Sequence, residues 1–316
     1  MLVTRVGREV NVNEKRGIGW IGVGNMGRPM SKRLVEAGYP LIVYNRTKEK
    51  TAELVSLGAK AAETPKELAG KSDVIFTMVS DSAALETVTL SPDGALAGAK
   101  PDSVLTDMST VSAEASARVA KAAREKSVRF VRAPVSGSTM MAAAGTLAII
   151  ASGDQDAYEK CLPILKILGQ KIFYMGNGEE ARYMKLVLNM MIGVTCQVMA
   201  EALVFGERAG LETDKMLEVI NNSAIASPFI GYKTKPLINR DFTPAFTVKM
   251  AEKDFNLALS QAKDLNIPLP LTAFVHQMLI AARATGKGDL DFSSLYLLAE
   301  ELAGKDKWGK HSRLTS

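Results

Sequence analysis

Between Ile18 and about Met175, short apolar runs alternate with longer stretches whose apolar residues recur every three or four positions. The runs are Ile18 to Val23, Leu41 to Tyr44, Asp73 to Val79, Val104 to Met108, Phe130 to Val135, Leu147 to Ala151 and Ile172 to Tyr174. Helical periodicity fills the intervals, as in Met26 to Ala37, Lys48 to Leu57 and Ala113 to Glu125, each ended by Gly or a polar turn. Strand and helix in alternation predict βαβ units on a parallel sheet. After Gly176-Asn177-Gly178 the pattern lengthens into one helical stretch from about Glu179 to Gly210, with no internal Pro. Helices over Lys215 to Ser223, Pro244 to Leu265 and Pro270 to Thr285 follow, joined by Pro-bearing loops. The expected architecture is an α/β domain over residues 17–178 and an all-helical domain over 179–304, with an extension at 1–16 and a basic tail at 305–316. A small ligand is expected in a cleft between such domains.

The first strand runs into Gly22-Val23-Gly24-Asn25-Met26-Gly27, a G-x-G-x-x-G followed by an amphipathic helix. In that context Gly22 allows the tight turn, Gly24 lets a pyrophosphate approach the backbone, and Gly27 lets helix and strand pack closely. Asn25 and Met26 complete the loop, and the helix N-terminus then faces the phosphates. The first domain is therefore expected to be of the Rossmann, dinucleotide-binding type, and the chain an oxidoreductase. An NAD site would end the second strand on a carboxylate; here it ends Tyr44-Asn45-Arg46-Thr47. A guanidinium at Arg46 can pair with a 2′-phosphate, with Asn45, Thr47 and Lys50 beside it, so NADP(H) is expected over NAD.

Composition narrows the remaining classes. With 316 residues, 47% hydrophobic and 23% charged, the chain is globular and long enough for two cores. The net charge of +5 is spread among acidic residues, which argues against nucleic acid as a partner. Arg5, Arg8, Lys15 and Arg16 at one end, and Lys305, Lys307, Lys310 and Arg313 at the other, read as solvated tails. Two Cys far apart suggest neither disulfides nor a thiolate metal site, and a cytoplasmic location is expected. Residues 1–16 lack the apolar core of a secretory signal. No membrane span is expected either, because Met184 to Val194 is interrupted by Lys185 and Asn189.

Hydride transfer to a carbonyl needs a proton donor. His311 lies in the tail and His276 in a late helix without an obvious acidic partner, so a His–Asp pair is not expected. With two Cys and two His, catalytic zinc is not expected. Tyr44 and Lys48 match a Tyr-x-x-x-Lys dyad formally, but they sit at the adenosine end of the site. What remains is Lys185, which shares a helix face with Asn189 inside an apolar stretch. Such surroundings disfavour the charged ammonium and suit a general acid or base; a snorkelling surface lysine is the plainer alternative.

Together these motifs resemble the β-hydroxyacid dehydrogenase family, over nearly everything from Gly17 to about Gly304. The resemblance rests on Gly22 to Met30, Asp107-Met108-Ser109-Thr110, Ala133 to Ser138, the Lys185 and Asn189 pair, and Phe246 with Lys253-Asp254. It is nearest the glyoxylate/succinic semialdehyde reductase branch in Asn45-Arg46-Thr47, Pro134 to Ser138 and Gly288 to Ser293. It implies NADPH dependence, Lys185 as proton donor in reduction and base in oxidation, and Asn189 as its orienting partner. Val79, Ser80 and Thr110 would lie near the nicotinamide, and Lys253 would reach the cofactor. Ser136, Gly137 and Ser138 would hold a substrate carboxylate through backbone N–H groups and hydroxyls. Asp254 would line the substrate site and Phe246 would wall it.

The chain departs from acid-specific relatives at Thr139 to Ala144, where apolar and small residues stand in place of polar ones. The expected reaction is NADPH-dependent reduction of a small carboxylate-bearing aldehyde to its hydroxy acid, reversed at alkaline pH. Alternatives are oxidation of a 3-hydroxy acid such as 3-hydroxyisobutyrate or L-serine, reduction of cyclic imines, and an inactive cofactor-binding scaffold. Imine reductases usually lack the lysine, and a scaffold is expected to have lost it. The resemblance also implies a homodimer or homotetramer.

Overall fold

The computed structural model describes residues 16–305, which form two compact units, one ending at Arg182 and the next beginning at Tyr183. Arg5, Arg8, Lys15, Lys307, Lys310, His311 and Arg313 lie outside the described residues.

The first unit is built on nine strands: β1 Ile18–Ile21, β2 Leu41–Tyr44, β3 Lys60–Ala61, β4 Val74–Thr77, β5 Val104–Asp107, β6 Arg129–Arg132, β7 Val135–Ser136, β8 Leu147–Gly153 and β9 Gly169–Tyr174. Their order is β3-β2-β1-β4-β5-β6-β8-β7, with β9 against β8. From β3 to β6 every pairing is parallel, with Ile18 opposite both Leu41 and Val74. Strand order reverses direction at β1, so the carboxyl ends of β1 and β4 form the switch point where α/β sheets take ligands. The strands β1, β4 and β5 are buried at every residue because helices cover both faces. One face packs Trp20, Met30, Leu34, Val43 and Phe76; the other packs Ile21, Leu68, Ile75, Leu105 and Val119.

The far edge departs from the expected all-parallel sheet. The run Phe130 to Val135 breaks at Ala133-Pro134 into β6 and β7, since Pro134 has no N–H for the ladder. From β7 the chain passes through a one-turn helix, Thr139–Ala144, and returns as β8, antiparallel to both β6 and β7. A connection this short cannot make the crossover that parallel strands need. The apolar pattern of a run identifies a strand without its direction.

The second unit contains the helices Thr213–Asn221, Pro228–Asn239, Val248–Asp264, Pro270–Ala282 and Leu295–Leu302, together with most of the long helix Glu180–Arg208. Its core gathers Leu203, Leu217, Val248, Phe255, Leu279, Leu295 and Tyr296. Two expectations change here. The predicted helix from Pro244 starts instead at Val248, because Thr247 is extended and its hydroxyl accepts from Met250 N at 3.2 Å. Residues 241–247 are a separate segment carrying Phe246. Pro236 stands inside a helix and not in a loop.

Lys305, read from the sequence as part of a solvated tail, is tied down: its ammonium bonds Glu300 and lies 2.9 Å from Glu207. The helix Glu180–Arg208 is by length and composition long and apolar enough to cross a membrane, although Lys185 and Asn189 interrupt its apolar stretch. Its Arg182, Lys185 and Asn189 are all hydrogen-bonded to protein groups.

Candidate active site

In the first unit, β1 runs into the glycine loop at the switch point. Gly22 has a left-handed φ of +98°, and a Cβ there would lie 2.2 Å from the Met78 carbonyl oxygen. A Cβ on Gly27 would come within 1.9 Å of the Gly22 carbonyl oxygen, so the helix Gly27–Glu36 approaches the turn as closely as backbone allows. At Gly24 a Cβ would meet nothing within 4 Å. Two of these glycines are thus demanded by the protein's own packing, while the third leaves an open backbone face. The Met26 side chain makes no cap bond to the helix that follows, and its first turn has no acidic residue. These residues fit a dinucleotide pyrophosphate at the helix N-terminus.

Asn45 works on the protein itself. Its Oδ1 accepts from Val23 N at 2.9 Å and its Nδ2 donates to the Thr47 carbonyl at 2.8 Å, binding the glycine loop to the turn after β2. That turn exposes Arg46, Thr47 and Lys50. Among the described residues Arg46 and Lys50 have no ion-pair partner, whereas neighbouring Lys48 is paired with Glu63.

Beyond β4 and β5 lies a network in which Asp107 and Ser109, noted from the sequence as motif residues, are joined to Thr77 and Arg182, which were not. Asp107, fully buried, accepts from Thr77 Oγ1 at 2.6 Å, Ser109 Oγ at 2.7 Å and Arg182 at 2.6 Å. Ser109 Oγ in turn receives Val79 N at 2.9 Å, so the Val79 and Thr110 loops are held together. Ser80 donates to Asp81 at 2.7 Å, which caps the next helix. Arg182 is 1% exposed and also donates to the Ser109 carbonyl and Ser116 Oγ. Removing either partner of such a pair leaves a buried charge unmatched, at about 3–5 kcal/mol. A lone arginine opening an apolar helix was its only sequence signal.

Ser136 pairs across the sheet with Ala148, and Gly137 and Ser138 follow. Ser138 caps the short helix, accepting from Met141 N at 3.4 Å, so this hydroxyl has a structural duty the sequence did not suggest.

The second unit carries the proton-handling candidates. Lys185 Nζ donates to Asn189 Oδ1 at 2.8 Å, and Asn189 Nδ2 donates to Asp254 Oδ2. Asp254, only 2% exposed, has its other oxygen 2.9 Å from Lys253 Nζ. The close approach of the two helices depends on Gly193, where a Cβ would come within 2.3 Å of the Phe255 ring. Burial pulls the Lys185 ammonium down from 10.5 to about 8; Asp254 opposes that shift and Lys253 adds to it. The sequence paired Lys185 with Asn189; the structure extends the chain to Asp254 and Lys253. Phe246 is half-buried on a different segment, its ring edge-on to Phe292.

Among the described residues no group of three His, Cys, Asp or Glu could hold a metal ion. Burial pushes the Cys161 thiol up to about 11 and Cys196 up to about 12, so neither is a ready nucleophile. His276 is half-buried, with its pKa lowered by burial.

Two family models match the chain in sequence: the NAD-binding domain of 6-phosphogluconate dehydrogenase over residues 17–176, and the NAD-binding region of NADP-dependent 3-hydroxyisobutyrate dehydrogenase over 179–299. The chain belongs to the β-hydroxyacid dehydrogenase family. It is 36% identical to 2-(hydroxymethyl)glutarate dehydrogenase of Eubacterium barkeri, over 91% of this chain and 96% of that one. Glyoxylate/succinic semialdehyde reductase 1 of Arabidopsis thaliana is 35% identical, over 88% and 96%. The crystal structure of 3-hydroxyisobutyrate dehydrogenase from Salmonella typhimurium superposes with a TM-score of 0.82 at 27% identity, over 90% and 99%. The chain is accordingly a hydroxyacid dehydrogenase that uses a nicotinamide dinucleotide.

Proposed function

We propose that this dehydrogenase reduces a small aldehyde acid, of the glyoxylate or succinic semialdehyde type, with NADPH, and that Lys185 donates the proton. The observation that carries the reading is the chain Lys185–Asn189–Asp254, with Lys185 lowered to about 8. An ammonium in that range gives up a proton near neutral pH and takes one back, as carbonyl reduction and its reversal require. Asn189 accepts from the ammonium and aims it, while Asp254 fixes the Asn189 amide so that its oxygen faces Lys185. When bound, the nicotinamide supplies the hydride.

The preference for the phosphorylated cofactor rests on Arg46 and Lys50, exposed beyond β2 with no ion pair among the described residues, and on the end of β2, Tyr44-Asn45-Arg46-Thr47, which has no carboxylate to hold a ribose 2′-hydroxyl. Ser136, Gly137 and Ser138 are assigned to the substrate carboxylate, and Phe246 to its apolar wall. The chain is further proposed to act as a homo-oligomer. Val187, Met191, Val198 and Phe205 are 40–78% exposed along one face of the long helix, an apolar stripe suited to a second copy.

The purified protein is to be assayed with NADPH against glyoxylate, succinic semialdehyde, tartronate semialdehyde and methylmalonate semialdehyde. Turnover fastest with one of the first two supports the substrate class. Fastest turnover with methylmalonate semialdehyde would move the reading to the 3-hydroxyisobutyrate side of the family, and none with any would indicate a cofactor-binding scaffold.

A further inference from the structure

The segment 241–247 has no regular structure of its own, yet it presents Phe246. Its anchorage comes from a distant stretch. Asp291 N donates to the Phe242 carbonyl and Phe292 N to the Phe246 carbonyl, each at 2.9 Å. The Asp291 carboxylate, with the residue 2% exposed, accepts in return from Ala245 N at 3.2 Å and Phe246 N at 3.3 Å through Oδ2. Its Oδ1 takes Ser293 N at 3.0 Å, Ser293 Oγ at 2.7 Å and Lys233 Nζ at 2.5 Å. Lys233 is itself 3% exposed, and its ammonium lies 5.0 Å from the Phe292 ring centre and 5.2 Å from that of Tyr232. The Phe246 ring rests edge-on against the same Phe292, with centres 5.6 Å apart.

This is more polar machinery than a loop attachment requires. Apolar residues of similar volume commonly match or exceed the stability of a buried ion pair. An ionised carboxylate is, however, the one side chain that can accept from two loop amides, a serine and an ammonium together. Lys233 offsets the charge that this service leaves buried.

We propose that the Lys233–Asp291 pair is a positioning device for substrate selection: it pins the Ala245-Phe246 backbone so that Phe246 presents one fixed apolar surface to the aldehyde acid. Both are positioning residues, acting through Phe246 and touching no reacting atom. The proposal rests on the reading of Phe246 as the substrate wall.

The test compares Asp291→Asn, Lys233→Met, Phe246→Ala and the Asp291→Asn/Phe246→Ala double variant in the full-length protein. Steady-state kinetics with the preferred aldehyde acid and NADPH affinity are to be measured alongside hydrogen exchange of the peptide covering 241–247. Each single variant is expected to raise KM for the aldehyde acid by about tenfold, leaving kcat within about twofold and NADPH affinity unchanged. The double variant is expected to be no worse than Phe246→Ala alone, since both changes remove one interaction. Exchange in 241–247 should quicken in Asp291→Asn and Lys233→Met. Unchanged exchange, or KM effects that multiply in the double variant, would overturn the positioning role while leaving Phe246 in place. An unaltered KM in Phe246→Ala would overturn the substrate-wall reading and the proposal with it. Should Asp291→Asn or Lys233→Met fail to fold, Lys233→Arg and Ser293→Ala keep the charges and carry the same comparison with smaller effects.

Discussion

The glycine loop after β1 and the lysine chain of the second unit are both candidate sites, but they are made of different material. The loop is backbone: what matters at Gly22, Gly24 and Gly27 is the absence of side chains, and the residues involved are neighbours in sequence. The lysine chain is side chain throughout, drawn from two helices, with Asn189 and Asp254 separated by 65 positions. A backbone site tolerates almost any surroundings that preserve its shape. A side-chain site depends on burial and on charges that only packing brings together, and so its chemistry can be tuned by residues that touch no substrate.

That contrast can be broken most sharply at Lys185. Lys185→Ala is expected to lower kcat by about 100- to 10,000-fold with NADPH affinity unchanged, read by steady-state kinetics and fluorescence titration. Loss of cofactor binding in proportion would mean that the two sites are not separable.

Arg46→Ala comes next. It should raise KM for NADPH by about ten- to a hundredfold while leaving KM for NADH nearly as it was, because one charge-assisted pairing is lost. Equal effects on both cofactors would remove Arg46 from the 2′-phosphate.

Gly27→Ala and Gly24→Ala separate packing from ligand approach. The first places a methyl 1.9 Å from the Gly22 carbonyl oxygen and should destabilise the fold by about 1–3 kcal/mol, measured by thermal melting without cofactor. The second has open space for its methyl and should leave the melting temperature alone while weakening NADPH binding. A normal cofactor affinity in Gly24→Ala would move the pyrophosphate elsewhere.

The smallest effect is on pH. Lys185 must be protonated to donate, so the reduction rate should fall as pH rises through about 8, and the oxidation rate should rise over the same range. Asp254 favours the charged lysine, so Asp254→Asn should carry both inflections to lower pH. A shift upward, or none, would detach Asp254 from the proton-handling group.

Much of the first unit was legible because its signals are local. Apolar runs of strand length, the glycine spacing and the missing carboxylate after Tyr44 are each written in a few consecutive residues. What escaped was direction and partnership. The antiparallel course of β8 is invisible in its apolar pattern, and Asp107, noted only as the start of the motif Asp107 to Thr110, is the hub joining Thr77, Ser109 and Arg182. In the second unit, Lys185 stood out as a charge in an apolar stretch, whereas Lys305 read as part of a solvated tail and nothing in the pattern marked Lys233. Their partners, Asp291 for Lys233 and Glu207 and Glu300 for Lys305, are remote in sequence or on another helix.

Contiguous residues alone specify a dinucleotide-binding α/β unit followed by helices, and they mark out Lys185 and Asn189. Periodicity, glycine placement and spacing along one helix are properties of contiguous residues, and the backbone converts them directly into shape. Which charges are buried, and what each one faces, is set by packing between remote segments. The tertiary structure joins Asp254 to Asn189 through the close helix packing at Gly193, and Asp291 to the Phe246 segment across 45 positions. Burial and the distance between remote charges set a proton affinity or hold a loop, and neither exists until the chain has folded.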